Sequence, residues 1–154
     1  LAKNGKLNLE YGDIKNKLAE KKIDNPKLKD IAEVIQEIRN LKLPNPGILP
    51  NCGSFFKNPV ISEAEFKNLK EKFPDIKSFV DEKGIKIPAG WLIEQVGMKG
   101  YRYKDAGVYE NQALILVNHG KASQKDILFL VELIRKNVFD KFGIILETEV
   151  NVLK

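Results

Sequence analysis

Ala113-Leu114-Ile115-Leu116-Val117-Asn118-His119-Gly120 opens the stretch that decides the fold, and residues 123–154 complete it. Five apolar residues make a run of strand length, and Asn118-His119-Gly120 reads as the turn that ends it. Ser123 and Asp126 then stand at capping-box spacing and open a helix in which Ile127, Val131, Ile134, Val138 and Phe142 trace one face. Gly143 stops that helix. Beyond it Leu146, Thr148, Val150 and Val152 alternate with Glu147, Glu149 and Asn151, the pattern of a strand with one buried and one wet face. A strand, a long helix and a closing strand predict an α+β unit, a compact mixed sheet with helices packed on one side.

Working back toward the N-terminus, Gly90-Trp91-Leu92-Ile93-Glu94-Gln95-Val96 predicts a short apolar helix stopped at Gly97. Lys77 to Ile87 is charged and irregular and reads as a loop. Ser62-Glu63-Ala64-Glu65 is another capping box, with Phe66, Leu69 and Phe73 on the buried side of its helix. Pro44, Pro46 and Pro50 follow one another too closely for a regular element and mark a boundary or hinge. Ahead of them, Lys6 to Tyr11 alternates like a short strand, and Asp13 is placed to cap a helix to about Glu20. Leu28, Ile31, Ile35 and Ile38 have the spacing of an amphipathic helix ending near Leu41.

A length of 154 residues suits one domain, or one domain carrying a piece of another. The first residue is Leu1, so the chain reads as a trimmed product or a piece of something longer. Hydrophobic residues at 43% and charged residues at 31% belong to a folded chain rather than a disordered tail. No apolar run has the length of a membrane span, and no signal-peptide core opens the chain. Cys52 and His119 are single representatives of their types, which excludes an internal disulfide and speaks against a zinc site; no metal is expected. One reduced thiol suits the cytoplasm. The net charge of +5 permits an anionic partner, a nucleic acid or a phosphorylated small molecule, although the basic residues are interspersed with acids.

Taken singly, the polar candidates are ordinary. Ser54 has no Gly-x-Ser-x-Gly elbow around it and no base near it in sequence, leaving proton donation, simple hydrogen bonding or a turn cap as its roles. Glu149 on a polar strand face, and Lys42, Lys57 and Lys99, have the character of surface residues. Phe55, Phe56 and Trp91 read as core, and Cys52 as a small buried apolar residue.

Taken together they form a pattern: Arg39-x-x-Lys42-Leu43-Pro44-x-Pro46, then Asn51-Cys52-Gly53-Ser54-Phe55-Phe56-Lys57-Asn58-Pro59. Ala89-Gly90-Trp91-Leu92-Ile93-Glu94-Gln95, Lys99-Gly100, Asn111-Gln112-Ala113-Leu114 and Leu146-Glu147-Thr148-Glu149-Val150 follow in order. This pattern resembles the signature of the UDP-N-acetylenolpyruvoylglucosamine reductase (MurB) family, from about Tyr11 to the C-terminus. It is similar to the branch that keeps a long lid between the serine block and the tryptophan helix.

The resemblance implies residues 44–154 as a substrate-binding domain and residues 1–43 as the C-terminal tail of an FAD-binding domain. It implies a cytoplasmic enzyme of peptidoglycan precursor synthesis in which NADPH reduces bound FAD. The flavin then passes hydride to the vinyl group of UDP-N-acetylglucosamine enolpyruvate, giving UDP-N-acetylmuramic acid. Ser54 would donate the proton to the resulting carbanion, and Glu149 would sit beside the carboxylate or enol as a protonated acid or through a water. Tyr11 would position the substrate, while Lys42, Asn58 and Gln112 would hold its diphosphate and uridine side. Phe79 stands where this branch usually has a substrate-clamping tyrosine, keeping the ring without the hydroxyl.

The resemblance implies that the flavin-binding glycines and a catalytic arginine lie upstream of Leu1, so most cofactor contacts are expected there and none is assigned to a residue of this chain. The isolated chain is expected to fold without flavin or activity until joined to the missing flavin domain. The competing reading is a non-catalytic module for a nucleotide sugar or a nucleic acid, without a membrane partner in either case. A nucleic-acid module calls for clustered Lys/Arg with exposed aromatics and a steep salt dependence.

Overall fold

A computed structural model describes Leu9 and residues 13–152. The chain divides into two compact units, Leu1–Lys42 and Leu43–Lys154. In the first, α1 (Ile14–Glu20) begins after Asp13, whose carboxylate takes the Asn16 amide rather than capping the helix through its side chain. α2 (Leu28–Lys42) joins it around a small core of Ile14, Leu18 and Val34, with Leu9, Ile23 and Ile38 packed on. The expected apolar face is displaced. Val34 is fully buried, whereas Leu28 is 75% exposed and Ile35 lies on the open side. α2 carries a broad apolar stripe and a single short partner helix, and so narrow a partner covers one edge of the stripe. Spacing alone does not select which edge. The strand expected over Lys6–Tyr11 lies outside the described residues, Leu9 apart.

The second unit holds two sheets in which each described strand pairing is antiparallel. β1 (Asn51–Ser54), β7 (Ile115–Asn118), β6 (Ala106–Val108) and β5 (Arg102–Tyr103) form one, in that spatial order. β2 (Val60–Ile61), β4 (Gly84–Lys86) and β3 (Phe79–Asp81) form the other, with β4 central. The helices are α3 (Glu63–Lys72), α4 (Ala89–Gln95) and α5 (Gln124–Phe142).

α3 and α5 both begin with complete capping boxes, Ser62 with Glu65 and Ser123 with Asp126, as the sequence predicts. α5 ends at Gly143, whose φ of 70° is a left-handed conformation that side-chain-bearing residues resist. Its inward face is Leu130, Val131, Ile134, Val138 and Phe142, with Ile127 partly buried beside them. These join Phe55, Phe56, Leu92, Ile93, Leu116 and Leu146 in one core. Each fully buried Leu or Ile there is worth roughly 1.5–3 kcal/mol over an exposed one. Trp91 and Phe73 flank Phe142, with ring centroids 5.7 and 4.7 Å away.

Two expectations are overturned. Lys77–Ile87 is not an irregular loop: it holds β3 and β4, and β4 pairs on its other side with β2. The strands are only three residues each, and their charge masked the alternation that period-two reading depends on. The closing segment is not a regular strand either. It makes one isolated bridge, Thr148 opposite Phe56, although Leu146 is fully buried and the in–out alternation persists. Alternation reports which face meets the core. A ladder also needs a neighbouring strand of matching length, and the Phe55–Lys57 stretch supplies only one bridge of pairing.

Candidate functional site

The serine block lies where β1 meets the core. β1 bulges between Asn51, opposite Val117, and Ser54, opposite Ile115. The bulge has a local cause: the Asn51 side chain accepts the Gly53 N–H at 3.0 Å and donates to the Leu49 carbonyl at 2.9 Å. This drives Gly53 to φ 75°, a conformation for which glycine is suited. The Phe55 N–H then donates to the Leu114 carbonyl at 2.8 Å, and Phe55 and Phe56 turn into the core with their rings edge-on at 5.4 Å. Two adjacent aromatic anchors hold the chain just after Ser54, which is left exposed at the rim of a well-packed wall.

The segment after α5 runs against this wall. Glu149 N–H donates to the Phe55 carbonyl at 2.8 Å, and Lys57 N–H donates to the Glu147 carbonyl at 2.9 Å. Glu149 is thereby tied to the residue following Ser54, the two candidates having been brought together from opposite ends of the unit. Both side chains are exposed, and among the described residues neither has a hydrogen-bond partner. Glu147 differs: its carboxylate meets the Lys57 ammonium at 3.4 Å.

Asn58 and Gln112 converge on the first turn of α4. Asn58 Oδ1 accepts the Ala89 N–H at 2.9 Å. Gln112 Oε1 accepts the Leu114 N–H at 3.4 Å and lies against Gly90, where an added Cβ would come within 3.1 Å of it. With their oxygens engaged, both amides have NH2 groups without a protein acceptor among the described residues. Phe79 stands on β3, opposite Lys86 in register and 64% exposed. Lys86 pairs with Asp81, and this ammonium holds the Asp81 carboxyl below its ordinary range. Lys42 is exposed at the end of α2 in the first unit, and Tyr11 lies outside the described residues.

Other candidates settle as surface or core. Lys99 pairs with Glu94 at 2.7 Å, while Phe55, Phe56 and Trp91 are core residues. Cys52 corrects the expectation of a buried apolar residue: it is exposed on β1, alternating with the half-buried Asn51 and Gly53. Partial desolvation nevertheless raises its thiol above the ordinary value, which disfavours the reactive thiolate. Asp126, which caps α5, is held down to about 2 by the Lys104 ammonium and then by the Ser123 hydroxyl and amide. Among the described residues no group of His, Cys, Asp and Glu could hold a metal ion, and no helix is long and apolar enough to cross a membrane.

A recess of about 440 Å³ lies between α3 and the segment leaving α5, and none of the sequence candidates lines it. Sequence reading passed over Gly90. Its signal was there: a glycine in an otherwise apolar helix usually marks something that comes close.

Residues 44–153 match the family model described as UDP-N-acetylenolpyruvoylglucosamine reductase, C-terminal domain. A UDP-N-acetylenolpyruvoylglucosamine reductase of Flavobacterium johnsoniae is 49% identical over 152 residues, covering 98% of this chain and 45% of that protein. The enzyme of the same name from Pseudomonas syringae pv. syringae is 43% identical over 153 residues, covering 99% and 45%. The crystal structure of UDP-N-acetylenolpyruvylglucosamine reductase (MurB) from Thermus caldophilus aligns with a TM-score of 0.50 at 28% identity, covering 82% of this chain and 34% of that one. The chain thus spans about half the length of the curated relatives it matches.

Proposed function

This chain belongs to the UDP-N-acetylenolpyruvoylglucosamine reductase family, as its C-terminal domain, and from that premise we propose that it forms the substrate side of the reductase active site. The reaction proposed is reduction of UDP-N-acetylglucosamine enolpyruvate to UDP-N-acetylmuramic acid in the cytoplasm, a step of peptidoglycan precursor synthesis. One observation supports the proposal: the backbone hydrogen bond that ties Glu149, with its exposed side chain, to Phe55, the residue after the exposed Ser54.

The residues fit a substrate site and not a flavin cradle. Among the described residues no glycine-rich turn joins a strand to a helix to enfold a diphosphate with backbone amides, and Ser54 and Glu149 are exposed. FAD and NADPH therefore enter the proposal as groups held elsewhere in the complete enzyme, where reduced flavin supplies hydride to the vinyl carbon. The work of this chain is proton delivery and binding. Hydride addition leaves an electron pair on the carbon beside the carboxylate; the Ser54 hydroxyl gives its proton to that carbon, forming a C–H bond, and the serine regains a proton from solvent. Glu149 assists beside the substrate carboxylate or enol, directly or through an ordered water, as charge spreads onto it. Asn58 and Gln112 offer NH2 donors to the oxygens of the diphosphate and uridine, and Phe79 closes over the substrate from β3.

A nucleic-acid module receives no such support. Lys57, Lys86, Lys99 and Lys104 are each paired with a carboxylate instead of forming a continuous basic surface. The test is to assay the complete protein for NADPH oxidation that depends on the enolpyruvyl UDP-sugar, with product identified by mass. Oxidation that proceeds equally with UDP-N-acetylglucosamine lacking the enolpyruvyl group would defeat the proposal.

A further inference from the structure

Gly90 is the second residue of α4 and is buried. Glycine is the least helix-favouring common residue after proline, and Gly90 does not occupy the left-handed conformation that would call for it. Space is what calls for it. A Cβ at this position would lie 3.1 Å from Gln112 Oε1 and 3.5 Å from Leu114 Cγ. The Leu114 N–H bonds that same Oε1 at 3.4 Å, so the amide oxygen is held between a backbone donor and the bare α-carbon of Gly90. One residue earlier, the Ala89 N–H fixes Asn58 Oδ1 at 2.9 Å. Both amides thus have their acceptor ends toward the first turn of α4. An amide so held keeps both hydrogens of its NH2 to offer a ligand.

We infer that Gly90 is a positioning residue: by lacking a side chain it seats Gln112 so that its NH2, beside that of Asn58, is presented to the oxygens of a diphosphate-containing substrate. This rests on the reading of Asn58 and Gln112 as substrate-side donors given above. The displacement an alanine forces is a few tenths of an ångström on a side chain already bonded at its long limit, enough to weaken a hydrogen bond that depends on alignment.

The experiment uses the complete reductase with UDP-N-acetylglucosamine enolpyruvate as the probe. Gly90→Ala raises KM about fivefold, the worth of roughly one ordinary hydrogen bond, with kcat within about twofold and a cooperative melt that shows the enzyme folded. In a Gln112→Ala background, Gly90→Ala adds nothing further to KM. A KM unchanged by Gly90→Ala overturns the inference, and so does an equal rise in both backgrounds, which would assign the effect to Leu114 or to α4 itself. If Gln112→Ala alone leaves KM unchanged, the failure lies with Gln112 as a substrate donor and the inference falls with it. Gln112→Glu gives an arm independent of Gly90: it keeps the seated oxygen but replaces the presented donor with an acceptor, so its KM exceeds that of Gln112→Ala. A Gln112→Glu enzyme no worse than Gln112→Ala overturns the assigned orientation.

Discussion

Glu149 donates its backbone N–H to the carbonyl oxygen of Phe55 at 2.8 Å, and this bond ties the last segment of the chain to the serine block. Phe55 is buried and itself bonded to Leu114, so Glu149 is referenced to a fixed point of the core although its own side chain is exposed. The roles proposed for Ser54 and Glu149 call for this kind of mounting, because a small misplacement of a catalytic group can cost about 10²-fold in rate.

Ser54→Ala in the complete enzyme leaves flavin reduction by NADPH within about twofold of wild type and lowers product formation by roughly 10²–10⁴-fold, the range for loss of a general acid. Stopped-flow measurement of the two half-reactions separates them. Equal slowing of both would remove Ser54 from the acid role.

Glu149→Gln slows the same oxidative half-reaction, whereas Glu147→Gln is mild. Glu147 pairs with Lys57 across an exposed 3.4 Å contact, and such pairs contribute at most about 1 kcal/mol. Side-by-side kcat/KM values decide it: a larger loss from Glu147→Gln would show that the two acids have exchanged roles.

Hydrogen exchange across residues 77–87 should slow on binding the UDP-sugar in the complete enzyme. The change belongs mostly to β3, the edge strand carrying Phe79, because β4 is already paired on both sides. Exchange unaffected by a substrate that demonstrably binds would rule out closure. Phe79→Tyr should tighten substrate binding by about 1 kcal/mol, one hydrogen bond, in a titration.

Acid should act on the cap of α5. The Asp126 carboxyl is depressed from its ordinary value to about 2 by Lys104 and Ser123. A depressed folded-state value means the contribution is whole above the unfolded value near 4 and is lost as pH falls from there through about 2. Asp126→Asn should lower stability at neutral pH and flatten the pH dependence between about 4 and 2. Thermal melts at stepped pH measure both, and an unchanged acid slope would show that the cap does not govern it.

The isolated chain of 154 residues should fold, remain colourless with added FAD and fail to oxidise NADPH. Its core and capped helices support folding, while no glycine-rich strand–turn–helix unit for a flavin diphosphate occurs among its described residues. A visible spectrum and a single assay suffice, and a yellow, active preparation would refute the division of labour.

The parts of this protein that depend on near neighbours in the chain were determined by the sequence alone. Capping boxes at Ser62 and Ser123 and the stop at Gly143 use residues one turn apart, so their spacing is their structure. The serine block and its satellites were likewise legible as a pattern, enough to name the family. Tertiary structure decided what depends on distant partners. It turned Lys77–Ile87 into two strands because β2 was there to pair with β4. It reduced the closing strand to one bridge at Thr148 because so little chain ran alongside it, left Cys52 on the open face of β1, and chose Val34 over Ile35 as the buried edge of α2. It also set Gln112 against Gly90, a contact that no periodicity encodes, since a glycine's empty space has meaning only once something is packed into it.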